Sequence, residues 1–236
     1  MPEATYAVWH PFTAMPPYSA LTPERLHTDL LFIERAQGAW VQDERGSWYL
    51  NLLNAINAVG FGRQSVLEAI ERQYRQLTFH PLFAHGHRPA EALAARLLGH
   101  APSSMRMVFF ANDGSGAVET ALKLARFYFM VQGRPERRHL ISLEGAYHGV
   151  SYGALSVTHM DMHSLFAPVV PDCHAVPAPH PFRPPIQAPP DEVVAWCVSQ
   201  LERKIDEIGA DKVAAVVVEP VQGVRGCVVL PDDYFR

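Results

Sequence analysis

The chain has 236 residues and a formal net charge of −4, and 48% of its residues are hydrophobic. This length is enough for one substantial domain or one and a half, and the composition is typical of an ordinary soluble globular protein. Acidic residues outnumber the 20 scattered Lys and Arg, which argues against nucleic acid as a partner. No uncharged apolar run is long enough for a bilayer, so no membrane partner is expected.

The cysteines and the N-terminal residues bear on the compartment. The three cysteines are odd in number and far apart, and no two of them form a CxxC pair. A disulfide framework is therefore not expected. The first residues lack a basic start followed by an apolar core, which argues against a signal peptide. Together these features predict a reducing, cytoplasmic setting.

Several local patterns occupy the first hundred residues. Prolines predict an irregular course for residues 1 to about 37. Apolar and polar residues alternate on both sides of a glycine-containing turn in residues 39–51, which predicts a β-hairpin. Ser65, with Glu68 three positions later, predicts the capped start of a helix. A second helix is predicted over residues 89–98, with proline at its permissive start.

From residue 105 onward, strand, turn and helix patterns follow one another. Strands are predicted at residues 105–111, 139–144 and 213–220, the last of them β-branched and therefore covered on both faces. Helices are predicted over residues 117–129, 150–157 and 191–209. Nine prolines between Pro168 and Pro190 predict a long surface loop. The succession is typical of an α/β fold with a mostly parallel sheet.

A glycine-rich turn stands between the predicted strand at 105–111 and the next helix. Gly114 and Gly116 would let an anion approach the unpaired N–H groups at the helix start, and Ser115 adds a hydroxyl donor. Taken alone, the turn is equally compatible with a plain cap on a core helix. It is not a Walker A loop, because no Gly-Lys-Ser/Thr follows. It is also a poor dinucleotide fingerprint, because Glu119 stands where the third glycine belongs.

Two further motifs follow predicted strands at the same edge of the sheet. "EGAYHG" brings Tyr147 and His148, and "VEPVQG" brings Glu219 and Gln222. Open α/β sheets bind their ligands at the carboxyl ends of the strands. An anion cradle, an aromatic ring and a carboxylate together suit a flat, phosphorylated heteroaromatic ligand. The histidine pairs at 85/87 and 159/163 lack further ligands, so no metal site is predicted.

In this order and at these separations, "FFANDGSGAVETALKLAR", "GAYHG" and "VEPVQG" resemble the class III, pyridoxal-phosphate-dependent aminotransferases of fold type I. The resemblance implies that Gly114 and Ser115 hold the cofactor phosphate. It implies that Tyr147 lies on or beside the pyridine ring, with His148 in the same site and Glu219 near the ring substituents. It also implies a homodimer, with residues 1–60 in a partial small domain and residues 61–236 in the first part of the large domain.

The groups that carry the family's chemistry are not found in the sequence. In this family a lysine forms a Schiff base with the cofactor and an aspartate pairs with the pyridine nitrogen, both in later motifs that are absent here. The three lysines present are interpreted as solvated: Lys123, Lys204 and Lys212. The chain therefore resembles the first half of an aminotransferase, and we expect it to be inactive alone. The alternatives are a non-catalytic or split-enzyme half and, less favoured because of Glu119, a Rossmann-like nucleotide-binding protein.

The amino donor and oxo acceptor are less well defined by the sequence. "WHPFTAM" at residues 9–15 resembles the N-terminal stretch of one subfamily, the adenosylmethionine–8-amino-7-oxononanoate aminotransferases. The resemblance implies that Phe12, Asn54 and Tyr147 contact the substrate. Phe12 stands where that subfamily has tyrosine, and Asn54 stands at a tryptophan position. Val224 replaces the glutamate of ornithine- and 4-aminobutyrate-type relatives, and a transaminase of the ω-amino-acid–pyruvate type remains an alternative.

Overall fold

A computed structural model describes residues 8–11, 13, 30–52 and 58–236. The chain divides into two compact units, Met1–Ala92 and Leu93–Arg236. The described elements of the first unit are three antiparallel strands in the order β1-β2-β3 and a helix. Their bounds are β1 Ile33–Gln37, β2 Trp40–Asp43, β3 Trp48–Leu50 and α1 Gln64–Gln76. Helix α2, Arg88–Leu98, crosses the division between the units and confirms the prediction for residues 89–98.

The predicted hairpin is confirmed, and one buried carboxylate closes its turn. Strands β2 and β3 pair antiparallel. Asp43 Oδ1 accepts the backbone N–H groups of Arg45 at 3.0 Å and Ser47 at 2.8 Å. Its Oδ2 accepts the Tyr49 hydroxyl at 3.0 Å. A short acidic side chain that bonds nearby backbone in this way favours a turn over a continuing strand.

Two predictions for the first unit are wrong. Residues 33–37 are not irregular, because they form β1, which pairs with β2. The extended conformation of this segment depends on its partner strand and not on local residue preferences. Ser65 does not cap α1: the helix begins at Gln64, and its N-cap residue Arg63 makes no side-chain capping bond. Within α1, whose residues are all described, no side chain is buried. The apolar positions of α1 therefore lie on its surface.

The second unit contains a parallel sheet in the order β5-β4-β6, which confirms the predicted α/β class. A separate antiparallel pair, β7 and β8, follows it. The elements are α3 Gly114–Val131, β4 His139–Leu143, α4 Tyr152–Leu155, α5 Met162–Leu165, β5 Cys173–Val176, α6 Pro190–Ile208, β6 Val213–Val217, β7 Val221–Gln222, β8 Val228–Val229 and a 3₁₀ turn at Asp232–Phe235.

Helices cover the two faces of this sheet. Side chains of a strand alternate between faces, so Ile141 and Leu143 lie on one side and Leu140 on the other. The first side packs against Leu201, Ile205 and Ile208 of α6. The second side packs against Leu122 of α3. The helix predicted over residues 191–209 is confirmed as α6, and Gly209 is its C-cap residue. Among the described residues, no helix combines the length and apolarity needed to cross a membrane.

Three strand predictions need correction. Residues 105–111 pair with no other strand among the described residues, and Met107 is 86% exposed, because an apolar run becomes a strand only beside a partner. The proline-rich loop contains β5, which pairs parallel with β4 although its four residues give little signal. Strand β6 is not covered on both faces, because Val216 is 40% exposed.

Candidate functional site

Helix α3 begins with two backbone donors that the described residues leave unpaired. Asp113 is the N-cap: its backbone is extended, and its Oδ1 accepts the N–H of Gly116 at 2.7 Å. Ala117 N–H bonds the Asp113 carbonyl at 3.0 Å. No described group accepts the N–H of Gly114 or Ser115. These donors, at the positive end of the helix dipole, form a local anion-binding arrangement.

An open cavity of about 780 Å³ adjoins this helix start. Its other wall is the segment that follows β4, which includes Tyr147, His148 and Gly149. The two walls are joined by hydrogen bonds: Ser115 Oγ accepts the Val150 N–H at 3.0 Å. The structure therefore brings together four of the predicted site residues around one cavity: Gly114, Ser115, Tyr147 and His148.

His148 borders this cavity in a half-buried position. Its backbone N–H donates to the hydroxyl of Thr158 at 2.9 Å, and Thr158 is fully buried. Its Nε2 atom is buried and has no hydrogen-bond partner among the described residues. Burial lowers the pKa of His148 below its ordinary value, and the charge of Glu219 opposes this only in part. The ring is therefore mostly neutral at pH 7.

Glu219 is not one of the residues that line the cavity, but it bonds one that does. Its Oε2 accepts the backbone N–H of Tyr147 at 2.8 Å, and its Oε1 accepts that of Gly223 at 3.4 Å. The carboxylate thus joins the segment after β6 to the segment after β4. What it does directly is to hold the backbone of Tyr147.

Several residues that line the cavity were given no site role by the sequence reasoning, and two of them are structurally important, Glu119 and Gly149. Glu119 Oε1 accepts the Gly153 N–H at 3.0 Å, and the nearby Ser151 hydroxyl together with this N–H lowers the pKa of the carboxyl. Gly149 lies so close to Ser115 that a side chain there would overlap it. The spacing of Ser115 and Glu119, one helical turn apart, is the signal that could have placed Glu119 at the cavity.

The remaining predicted residues lie elsewhere. Phe12 and Asn54 fall outside the described residues. Among the described residues, no lysine lines the cavity: Lys123 and Lys212 are exposed, and Lys204 bonds Glu207 at 2.6 Å. No group of three or more His, Cys, Asp or Glu in the described part of the chain could hold a metal ion.

Comparison with known proteins finds a matching family model and several sequence relatives. A family model described as aminotransferase class-III matches residues 22–236. A probable aminotransferase of Mycobacterium tuberculosis is 38% identical over 86% of this chain and 44% of its own length. An adenosylmethionine-8-amino-7-oxononanoate aminotransferase of Geobacter sulfurreducens is 35% identical over 97% of this chain and 50% of its own.

A solved structure agrees with these sequence relatives. The amine transaminase from an uncultivated Pseudomonas species, in a PLP-bound form, matches with a TM-score of 0.87 and 35% identity. The match covers 98% of this chain and 52% of that one. The chain therefore spans about half the length of the relatives it matches.

Proposed function

This chain belongs to the class III aminotransferase family, and we propose that it supplies the cofactor-phosphate site of an enzyme that moves an amino group from a small-molecule amino donor to an oxo acceptor. Members of this family are pyridoxal-phosphate-dependent transaminases. The observation that carries the proposal is the start of α3, where two unpaired backbone donors border an open cavity that Tyr147 also lines.

The residues present fit the phosphate of this cofactor. Unpaired N–H groups at a helix start bind anions, and Gly114 leaves the approach open, because a Cβ there would meet no described atom within 4 Å. Two carboxylates stand nearby, but each already accepts backbone N–H groups: Asp113 from Gly116 and Glu119 from Gly153. These bonds hold the negative charges in place without using the donors of Gly114 and Ser115.

The walls of the cavity also suit the ring of the cofactor. When bound, pyridoxal phosphate supplies an electron-withdrawing ring that stabilises negative charge on a substrate carbon. Tyr147 offers an aromatic face for stacking, and its backbone is fixed by Glu219. His148 is mostly neutral, so it adds little charge to the site and can accept or donate one hydrogen bond.

The position of the lysines favours a more limited function, cofactor binding without catalysis. Transamination needs an amine that bonds the cofactor and then moves a proton, and no lysine of the described residues lines the cavity. We therefore propose that these residues bind the cofactor without turnover unless a lysine from outside them reaches the site. A non-catalytic or split-enzyme half that holds cofactor phosphate is the alternative function.

The substrate and the assembly are further parts of the proposal. Phe12 and Asn54 are proposed substrate contacts with Tyr147, in line with the resemblance of residues 9–15 to the adenosylmethionine-using subfamily and with the Geobacter relative. The match to an amine transaminase is compatible with an amino donor other than adenosylmethionine.

We also propose that the whole enzyme is a homodimer. What supports this is the apolar surface of α3, where five large side chains are more than half exposed: Leu124, Phe127, Tyr128, Met130 and Val131.

The test removes a single N–H group from the helix start. Gly114→Pro deletes this donor, and proline is tolerated here because Gly114 is the first residue of α3 and Asp113 is already extended. Gly114→Ala, which keeps the N–H group in open space, is the matched control. A hydrogen bond to a charged group contributes about 1.5–3 kcal/mol. Gly114→Pro should therefore weaken pyridoxal phosphate binding roughly 10- to 100-fold.

The measurement is a fluorescence titration with pyridoxal phosphate, repeated with inorganic phosphate as competitor. We expect Gly114→Ala to bind like the wild type and inorganic phosphate to compete in both proteins. Equal affinities of the alanine and proline variants would show that this N–H group binds no phosphate. A wild type that binds no pyridoxal phosphate would contradict the proposed function itself.

A further inference from the structure

The segment that follows β6 holds the turn after β4 through a single carbonyl oxygen. Gln222 is fully buried, and its Nε2 donates to the Glu144 carbonyl at 3.2 Å. Arg225 Nη1 donates to the same carbonyl at 2.8 Å and also contacts Gln222 Oε1 at 3.3 Å. One backbone oxygen thus receives two side-chain donors from about eighty residues further along the chain, an arrangement we call the Glu144 clamp.

Gly145, the residue after Glu144, leaves space for the side chain of Arg225. Gly145 has φ +73, a conformation that L side chains rarely adopt. A Cβ at Gly145 would lie 2.5 Å from Cδ and Nε of Arg225 and 2.6 Å from its Cζ. The arginine side chain therefore lies directly against the glycine backbone, and its contact requires the absence of a side chain at this position.

The clamp lies close to the cavity wall in sequence and in space. Glu144 and Gly145 precede Tyr147 by three and two residues. The Tyr147 N–H is held by Glu219 at 2.8 Å, and Glu219 belongs to the same segment as Gln222 and Arg225. Residues 219–225 therefore fix the turn after β4 at both of its ends, first at the Glu144 carbonyl and then at the Tyr147 amide.

We propose that Arg225 is a positioning residue, which with Gln222 holds the Glu144 carbonyl and thereby keeps Tyr147 oriented toward the cavity. The proposal rests on the proposed function in one respect only, that the ring of pyridoxal phosphate is what Tyr147 meets. Arg225 acts on the ring wall and not on the phosphate donors of α3, so its loss changes recognition of the ring and leaves phosphate binding intact.

The first experiment separates ring recognition from phosphate binding. Arg225→Met keeps much of the side-chain volume and removes the donors, Arg225→Lys restores one charged donor, and Arg203→Met makes the same change on the exposed surface of α6. We expect Arg225→Met to weaken pyridoxal phosphate binding about tenfold, with inorganic phosphate affinity within twofold of wild type. We expect Arg225→Lys to recover part of the loss. Equal losses for both ligands, or no loss for pyridoxal phosphate, would overturn the proposal.

The second experiment needs no cofactor. Amide hydrogen exchange at Tyr147 should be faster in Arg225→Met and unchanged in Arg203→Met, because the clamp holds the turn on which this amide lies. Unchanged exchange at Tyr147 in Arg225→Met would overturn the positioning role. If the wild type bound no pyridoxal phosphate, the proposed function would fail, and the exchange rates would still decide whether the clamp holds Tyr147.

A double-mutant cycle tests the contact itself. Gly145→Ala should displace the arginine in the wild-type background, whereas in Arg225→Ala it meets no such side chain. The loss in urea midpoint of the double variant should therefore be smaller than the sum of the two single losses. Additive losses would show that Arg225 does not pack on Gly145, and the proposal would be abandoned.

Discussion

Gly149 lies where the two walls of the cavity meet, and no other residue fits there. Its φ is +133, and a Cβ would lie 2.6 Å from Ser115 Oγ, 2.8 Å from Ala154 Cβ and 3.0 Å from Ser115 Cα. Gly149→Ala combines overpacking with backbone strain and should cost about 3 kcal/mol of unfolding free energy. Urea denaturation followed by circular dichroism measures this loss.

The control for this prediction is Gly133→Ala. Gly133 also has a positive φ, +73, but a Cβ there would meet no described atom within 4 Å. Its substitution should therefore cost only the conformational part, about 1 kcal/mol. Equal losses at the two glycines would show that the contact between Gly149 and Ser115 does not form.

At the scale of single residues, the sequence predicts features that depend on neighbouring residues in the chain, such as a helix start or a position directly after a strand. A turn with two glycines ahead of an amphipathic run indicates a helix start, although the helix predicted from residue 117 begins three residues earlier, at Gly114. The position of Tyr147 follows from its place after β4. The backbone bond between Glu219 and Tyr147 joins residues 72 positions apart. Such a bond depends on the approach of two segments in the folded chain, so no local pattern predicts it.

Helix α3 is buried on one face and exposed on another, and two leucines test this. Leu122 is 8% exposed and packs with Leu140 and Val157, whereas Leu124 is 54% exposed. Leu122→Ala should cost about 2–3 kcal/mol, because it leaves a cavity against the sheet. Leu124→Ala should cost about 0.5 kcal/mol or less. Comparable losses in urea denaturation would contradict the assignment of the Leu122 face to the core.

Helices with a regular spacing of apolar residues could be predicted from the sequence. Strands could not be predicted reliably, because a strand depends on a neighbouring strand to pair with. Helix α6 follows from its apolar spacing and from Gly209 at its end. Residues 105–111 have the apolar composition of a strand without a partner among the described residues, whereas β5 has a weak pattern and the partner β4. Strand formation requires a hydrogen-bonded neighbour, which the sequence of one segment does not contain.

At the scale of the whole molecule, the cavity is a property of the second unit. The helix start of α3 and the segments after β4 and β6 all lie within Leu93–Arg236. The prediction that residues 1–60 form a separate partial domain stays a prediction. Large apolar side chains remain exposed on α3, and β6 ends the described sheet. We expect the proposed second subunit to bind at these surfaces.

The whole molecule should also lose stability in mild acid, because several of its partly buried histidines have lowered pKa values. Burial lowers the pKa of His148 and His174, and it lowers that of His159 to about 4. An unfolded chain takes up these protons near the ordinary histidine pKa of about 6.5, whereas the folded chain does not. The stabilising contribution of His159 is therefore complete above about pH 6.5 and is lost as the pH falls from there toward 4.

Urea midpoints at pH 7.5 and pH 5 measure this loss. This range lies above the ordinary carboxyl pKa values, so lowered carboxyl pKa values such as that of Glu119 contribute little to the change. We expect a lower midpoint at pH 5, and a smaller difference between the two pH values in His159→Gln, which removes the uptake of about one proton on unfolding. His100→Gln, at an exposed position, should keep the wild-type difference. If His159→Gln also kept it, His159 would not be a source of the acid sensitivity.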